Sequence, residues 1–140
     1  MAANTDNTGA YHFETSSDAP TVITLKYQGD GLQGINTGDI VRIENHILDR
    51  NRLSEPGKLI SADVNQSGKI TVADIIEIHK LILGKSDNFS VGSSFTFLPA
   101  SLIPDFSNWN LLPRWITSDF SGGNTFIADF KGYKLGDVGL

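Results

Sequence analysis

Cysteine is absent from the chain, and histidine occurs only three times. Without cysteine there are no disulfides, no thiolate metal ligands and no cysteine nucleophile. The histidines, His12, His46 and His79, are scattered and lack the HExxH spacing of zinc enzymes. No G-x-S-x-G, phosphate-loop or dinucleotide-binding pattern occurs either. We therefore expect a protein that is not an enzyme.

Basic residues and long apolar runs are also scarce. The chain has 11 Lys and Arg against 16 Asp and Glu, a formal net charge of −5. Such a balance argues against nucleic acid and anionic membrane surfaces as partners and suits a cation. No apolar run reaches the length of a membrane span, so we expect no membrane insertion. The opening MAANTDNTG lacks the basic head and apolar stretch of a signal peptide, and the chain resembles a piece of a longer protein.

The strongest pattern in the chain is DVNQSGKITVAD, at residues 63–74. Oxygen-bearing side chains stand at its first, third, fifth, ninth and twelfth places, with glycine sixth. This spacing wraps one short loop around a hard dication such as Ca²⁺, which requires six to eight oxygen ligands. Gly68 occupies the sharp turn, where φ is positive. The predicted ligands are Asp63, Asn65, Ser67, Lys69 through its backbone carbonyl, Thr71 directly or through water, and Asp74.

Two departures from the common calcium-loop pattern should weaken binding. Ser67 replaces an acid in the fifth place, and the shorter Asp74 replaces the closing glutamate. With two formal charges, we expect a Kd in the range of extracellular modules, roughly 10⁻⁴ to 10⁻³ M. The alternative is an ordinary turn, because Asp, Asn, Ser and Gly also cluster in turns.

The loop belongs to an internal repeat, since residues 34–50 align without gaps to residues 69–85. Apolar residues recur at spacings of three and four, which predicts two amphipathic helices. Asn36 or Thr37, and Thr71, are the predicted helix caps, and Gly84 is the predicted stop. Two such units would bury their apolar faces against each other. The predicted stripes contain Ile40, Ile43 and Ile47, widened by Val41 and Leu48, and Ile75, Ile78 and Ile82.

The first loop, residues 28–39, is a poorer ligand set. Only Asp30, Asn36 and Asp39 remain as credible side-chain ligands, and Gln33 stands where the glycine belongs. We expect a weak or empty second metal site here. In either case Ile35 and Ile70 are expected to pair as a small two-stranded sheet.

The segments outside the repeat have strand patterns. GAYHFE and TVITLKYQ precede it, separated by the turn composition SSDAP, while SSFTFLP and NTFIADFKGYKL follow it. An aromatic loop, residues 104–123, separates the last two. Between the repeats, RLSEPGKLI predicts a short helix or turn capped by Ser54. With 140 residues and 39% hydrophobic content, one compact domain is expected, its flanking strands packed on the helices.

Duplicated calcium-loop and helix units that close with Asp, here ADVNQSGKITVADIIEIHKLILG, resemble dockerin modules. The wider pattern is similar to dockerin-like modules of secreted surface proteins of Bacteroidetes-type bacteria. This resemblance implies a non-catalytic, calcium-stabilised module at the cell surface or outside the cell. It also implies attachment to a cohesin-like domain or to neighbouring domains of the same protein.

The resemblance further implies which residues read the partner. In this chain the corresponding places hold Thr37, Gly38, Glu44 and Asn45 in the first half and Val72, Ala73, His79 and Lys80 in the second. One half is acidic or neutral and the other basic, so a single binding orientation is expected. A solvated helix surface would explain the same residues.

These observations predict an α+β fold: a dockerin-like pair of EF-hand-type loop-helix units with flanking N-terminal and C-terminal β-strands. The expected boundaries are residues 1–27 for the N-terminal flank, 28–90 for the duplicated module and 91–140 for the C-terminal flank. Two other functions stay open. One is a calcium-stabilised structural joint in an adhesin-like protein, and the other is a carbohydrate-binding module that uses Trp109 and Trp115.

Overall fold

The computed structural model describes residues 2–15, 19–118 and 125–139. Its helices are α1 (Thr37–Ile47), α2 (Pro56–Ala62) and α3 (Val72–Ile82), and its strands are β1 (Thr21–Ile23), β2 (Phe95–Pro99), β3 (Ile116–Ser118) and β4 (Phe130–Lys134). The strands flank the helices in sequence, which confirms the predicted α+β class.

Both repeat helices begin in the same way. The side chain of Asn36 caps α1 and that of Thr71 caps α3, each accepting a hydrogen bond from the backbone N–H two residues further on. In return, Asp39 and Asp74 accept the N–H of these caps, at 2.9 and 2.8 Å. These reciprocal pairs satisfy backbone donors that helix starts leave open. The cap of α1 is therefore Asn36, and Thr37 is the first helical residue.

Of the other two predicted helix boundaries, the stop at Gly84 is confirmed and the cap at Ser54 is wrong. Gly84 has φ of +63° immediately after the C-cap Leu83, as expected for a glycine stop. The prediction that Ser54 caps α2 is wrong, because the N-cap is Glu55, which makes no side-chain capping bond. Pro56 explains this start: it occupies the first helical position and favours the extended backbone of the residue before it.

The helices α1 and α3 pack against each other through the predicted isoleucines. Ile43 and Ile78 are fully buried at the centre of this contact. The predicted widening of the α1 stripe by Val41 and Leu48 is wrong, since these side chains are 53% and 49% exposed. At 3.6 residues per turn both positions lie outside the narrow face that meets α3.

One apolar core joins the repeat to the C-terminal flank. Leu135 and Val138 lie fully buried in the same cluster as the isoleucines of α1 and α3, together with Phe89. A second, smaller cluster contains Ile60, Leu98 and Tyr133, and Trp109 packs against both clusters. The first cluster comprises Ile35, Ile40, Ile43, Leu53, Leu59, Ala62, Val64, Ile78, Leu81, Phe89, Leu135 and Val138.

The strands form two antiparallel pairs. β1 pairs with β3, with Val22 opposite Thr117, and β2 pairs with β4, with Phe97 opposite Gly132. The β2–β4 pair rests on α2 through β4, and Leu135, which follows β4 directly, enters the main core. The prediction that the flanking strands pair and pack on the helices is confirmed for β2 and β4.

Several local predictions differ from the structure. GAYHFE forms no described strand, and the small sheet expected from Ile35 and Ile70 is not formed, although both side chains pack in the core. β3 lies in the segment predicted as an aromatic loop. Residues 16–18 of the predicted turn and residues 119–123 of that loop lie outside the described residues. Within the described residues, every helix is too short or too polar to cross a lipid bilayer.

Candidate calcium site and partner-binding face

The candidate calcium loop is held at both ends by helices. Asp63 is the C-cap of α2, and Asp74 lies in the first turn of α3. Val64, next to Asp63, is buried in the main core and fixes the start of the loop. As a result both carboxylates are almost completely buried, with exposed fractions of 1% and 0%. Buried carboxylates require hydrogen bonds or a counter-charge.

The Asp63 carboxylate organises the turn of the loop. Its Oδ1 accepts the N–H of Ser67 at 2.9 Å, and its Oδ2 accepts the N–H of Gly68 at 2.8 Å. Gly68 has φ of +82°, in the left-handed region predicted from its place in the loop. The loop therefore folds around the first predicted ligand.

The Asp74 carboxylate closes the loop from the other side. Its Oδ1 accepts the N–H of Asn65 at 3.3 Å, and its Oδ2 accepts that of Thr71 at 2.8 Å. Burial raises the pKa of Asp74 above its ordinary value, and the negative charge of Asp63 raises it further, while these hydrogen bonds act in the opposite direction. Two buried acids that disfavour each other's charge form a site that a dication would stabilise.

The remaining predicted ligands contribute neutral oxygens. Ser67 Oγ donates to the backbone carbonyl of Lys69 at 3.0 Å, and Asn65 Oδ1 accepts the N–H of Ser67 at 3.0 Å. The loop thus gathers carboxylate, amide, hydroxyl and carbonyl oxygens, the donor set that Ca²⁺ prefers. Its acids number only two, and the described part of the chain contains no cluster of three or more His, Cys, Asp or Glu suited to a metal ion.

One residue of the C-terminal flank contacts this loop and another acts on it through its charge, and neither was identifiable from the sequence. Asn110 Nδ2 donates to the carbonyl of Gly68 at 3.0 Å. Arg114, whose Nε donates to Thr96 Oγ1 at 2.8 Å, has its pKa lowered by burial and raised by the negative charge of Asp63. No local motif identifies such contacts because they depend on tertiary packing. The flank therefore forms one wall of the site.

The first loop has a different arrangement. Asp39 is fully buried, and its Oδ1 accepts the backbone N–H of Val138 at 3.0 Å while its Oδ2 accepts that of Asn36. Asn36 Oδ1 caps α1, and Asp30 Oδ1 accepts the N–H of Leu32 at 2.9 Å. Backbone donors thus engage all three side chains that the sequence offered as ligands of a second ion.

The predicted partner-reading residues lie on the outer surfaces of α1 and α3. Most are exposed, and Asn45 is half-buried. The sequence pattern assigned Val41 and Leu48 to the core instead, yet both are exposed, and Ile76 and Leu83 are exposed at the equivalent places of the second repeat. The identical spacing of these exposed apolar residues in both repeats was the sequence signal that could have identified them. The exposed predicted residues are Thr37, Glu44, Val72, His79 and Lys80.

The two tryptophans have different environments. Trp109 is half-buried and packs against both apolar clusters, whereas Trp115 is 51% exposed. A sugar-binding platform built from this pair would need both rings on the surface. The carbohydrate-binding alternative therefore lacks the pair of exposed rings on which it depends.

The second loop has two buried carboxylates and lies between α2 and α3. The first loop, a poorer ligand set, precedes α1 in the same way. Together the two units define a duplicated EF-hand-like calcium module. Residues 29–83 match the family model of the dockerin type I domain, so the chain contains a dockerin-like module over these residues. Dockerin type I domains bind Ca²⁺ through EF-hand-like loops and are non-catalytic protein attachment modules, found in extracellular or cell-surface proteins. No curated protein and no solved structure matches the chain.

Proposed function

We propose that the second loop holds the Ca²⁺ of this module through Asp63, Asn65, Ser67, Lys69, Thr71 and Asp74. The burial of two carboxylates at the two ends of one loop carries this assignment. When the ion binds, it offsets the repulsion between Asp63 and Asp74 and links the end of α2 to the start of α3. Because the ion binds only the closed loop, calcium binding adds to the stability of the fold.

The attachment partner we propose is a cohesin-type domain, with the chain acting as an adaptor in a secreted or surface multidomain bacterial protein. Support comes from the outer faces of α1 and α3, where apolar and charged side chains lie exposed side by side. A purely structural joint would bury these faces under the flanking strands. Instead, the β2–β4 pair rests on α2.

The surface of α3 is the better docking face of the two. It exposes Val72, Ile76 and Leu83 around the basic positions His79 and Lys80. On α1 the equivalents of Val72 and His79 are Thr37 and Glu44, so that face is less apolar and carries an acid. Exposed apolar residues at the centre of a contact supply most of its binding energy, while charges at the rim select orientation. We therefore propose one binding orientation, centred on α3.

Equivalent residues of the two repeats allow a matched test. Ile76→Asp and Val41→Asp place the same charge at corresponding sites on α3 and α1. Binding to a panel of purified cohesin domains is measured by biolayer interferometry in millimolar calcium and in EDTA. We expect Ile76→Asp to weaken Kd by about tenfold or more and Val41→Asp by much less, with no binding in EDTA.

Other outcomes would reject parts of this proposal. Equal losses for the two variants would mean that both orientations are used. If neither variant changes binding, the helix faces are not the partner surface. If no cohesin domain binds the folded, calcium-loaded chain, the structural joint becomes the better explanation.

A further inference from the structure

The buried carboxylates of the two loops have different neighbours. In the second loop, Asp63 and Asp74 face each other across a ligand set suited to Ca²⁺. In the first loop, Asp39 is equally buried but has the C-terminal segment against it. We propose that the first loop takes its cation from the chain itself, with the ammonium group of Lys134 in place of a calcium ion.

Lys134 lies at the end of β4, and its side chain reaches the first loop. Its Nζ donates to the backbone carbonyl of Gly31 at 2.6 Å and lies 3.4 Å from the carbonyl of Leu135. Gly31 follows Asp30 directly within the loop. An ammonium group is therefore bound to the backbone of this loop beside Asp30, the predicted ligand in the third place.

The surroundings of Lys134 act on its charge in opposite directions, with a net lowering of its pKa. Burial lowers the pKa of Lys134, whereas the carboxylates of Asp137 and Asp30 raise it. The ring of Phe95 lies 5.6 Å from Nζ, within the range of a cation–π contact. The half-buried ammonium group thus has carbonyl and aromatic partners, and the two carboxylates act on it from beyond ion-pair distance.

The backbone after Lys134 completes the closure. The N–H of Val138 donates to Asp39 Oδ1 at 3.0 Å. Gly34, in the loop, has φ of +83°, and an added Cβ there would lie 2.8 Å from Asp137 Oδ2, so this segment lies directly against the loop. A dication held by Asp30 in the first loop would be repelled by the ammonium group of Lys134 beside it. The arrangement therefore gives one Ca²⁺ per chain.

Calcium stoichiometry tests the inference on the native chain. Isothermal titration with CaCl₂ should give one ion per chain, and Asp63→Asn with Asp74→Asn should reduce this to none. Two ions in the native chain, one of them lost in Asp30→Asn or Asp39→Asn, would overturn the inference.

A double-mutant cycle tests the role of Lys134 itself. Lys134→Met keeps the aliphatic length but removes the charge, and it should lower Tm by about 3 °C or more in EDTA and in calcium alike. Asp30→Asn should lower Tm in the native chain and lower it less in the Lys134→Met background. Lys85→Met, an exposed change outside both loops, is the control and should have little effect.

Equal effects of Asp30→Asn in both backgrounds would overturn the inference, because they would show no coupling between the loop and the ammonium group. If Lys134→Met does not fold, Lys134→Arg replaces it in the cycle with a longer, planar cation. Retained stability in Lys134→Arg supports a charge-based role. The charge-based role is contradicted if Lys134→Arg lowers Tm as much as is expected for Lys134→Met and the native chain binds more than one Ca²⁺.

Discussion

Replacing both Asp63 and Asp74 by asparagine should abolish the dependence of thermal stability on calcium. Each asparagine keeps one acceptor oxygen, so it can retain one of the two backbone hydrogen bonds of the carboxylate that it replaces, while its NH₂ group faces the other N–H donor. The substitutions remove the two formal charges that attract the ion. They also remove the repulsion that contributes to the raised pKa of Asp74. In EDTA the lost hydrogen bonds lower the Tm of the variant and the lost repulsion raises it, so the quantity to compare is the change in Tm between EDTA and calcium within each chain.

The size of the native response follows from the ligand set. Two carboxylates with neutral oxygens correspond to a Kd of roughly 10⁻⁴ to 10⁻³ M. At about 10 mM calcium, binding to the folded state alone adds about 2.7 kcal/mol at the tight end of this range and about 1.4 kcal/mol at the weak end. For a chain of this size these energies correspond to a rise in Tm of roughly 4 to 12 °C.

Circular dichroism melting curves in EDTA and in stepped calcium concentrations measure this response. Magnesium at the same concentrations controls for general ionic effects, and Asp87→Asn, an exposed acid outside both loops, controls for the change in net charge. The reasoning fails if native Tm is the same in EDTA and in calcium. It also fails if the double variant shows the native rise, because the ion would then bind elsewhere.

Three further predictions concern residues around the core and the site. Ser94 Oγ is buried without a hydrogen-bond partner among the described residues, so Ser94→Ala should raise the free energy of unfolding by about 1 kcal/mol in urea denaturation. Burial lowers the pKa of His46, and its Nδ1 accepts the N–H of Leu53, so the folded state favours the neutral ring. Stability should therefore decline as pH falls below the unfolded-state pKa of about 6.5 towards the lower folded value, and His46→Gln should flatten this slope in urea melts across that window. Arg114→Met should lower Tm in EDTA but tighten calcium binding in a titration, because Arg114 offsets the charge of Asp63 and repels the ion.

The helices and the calcium loop were predictable because their signals are local. The spacing of oxygen-bearing residues in residues 63–74, the glycine in the sixth place and the caps at Asn36 and Thr71 each lie within one turn of the structure they specify. Gly68 and Gly84 adopt the predicted positive φ values. These features do not depend on residues that are distant in the sequence.

The wrong predictions concern features that depend on tertiary packing. The pattern placed Val41 and Leu48 in the core because apolar residues usually lie there, yet the contact between α1 and α3 is too narrow to cover them. β3 has only three residues and pairs with β1 across most of the chain, so it has no strong periodic signal of its own. Ile35 and Ile70 entered the core without forming the expected sheet.

The contacts of the C-terminal flank were beyond sequence reasoning for a related reason. Asn110, Arg114 and Lys134 each act on a loop far away in the chain, and single polar residues in strands or loops show no preference for a particular target. The sequence indicated only that this flank contains strands and that they pack on the helices. In the folded chain the flank forms one wall of the second loop and packs against the first loop, and neither contact is visible in the sequence.

The bond from Val138 to Asp39 spans 99 residues and has a consequence for the order of folding. During synthesis, α1 and α3 leave the ribosome long before the residues that seal their core, Leu135 and Val138. Until these residues arrive, the helix pair exposes apolar surface and Asp39 lacks one of its two backbone donors. A long wait for such distant contacts favours slow folding. In millimolar calcium, an ion bound to the more local second loop can hold the unfinished helix pair together until these distant contacts form.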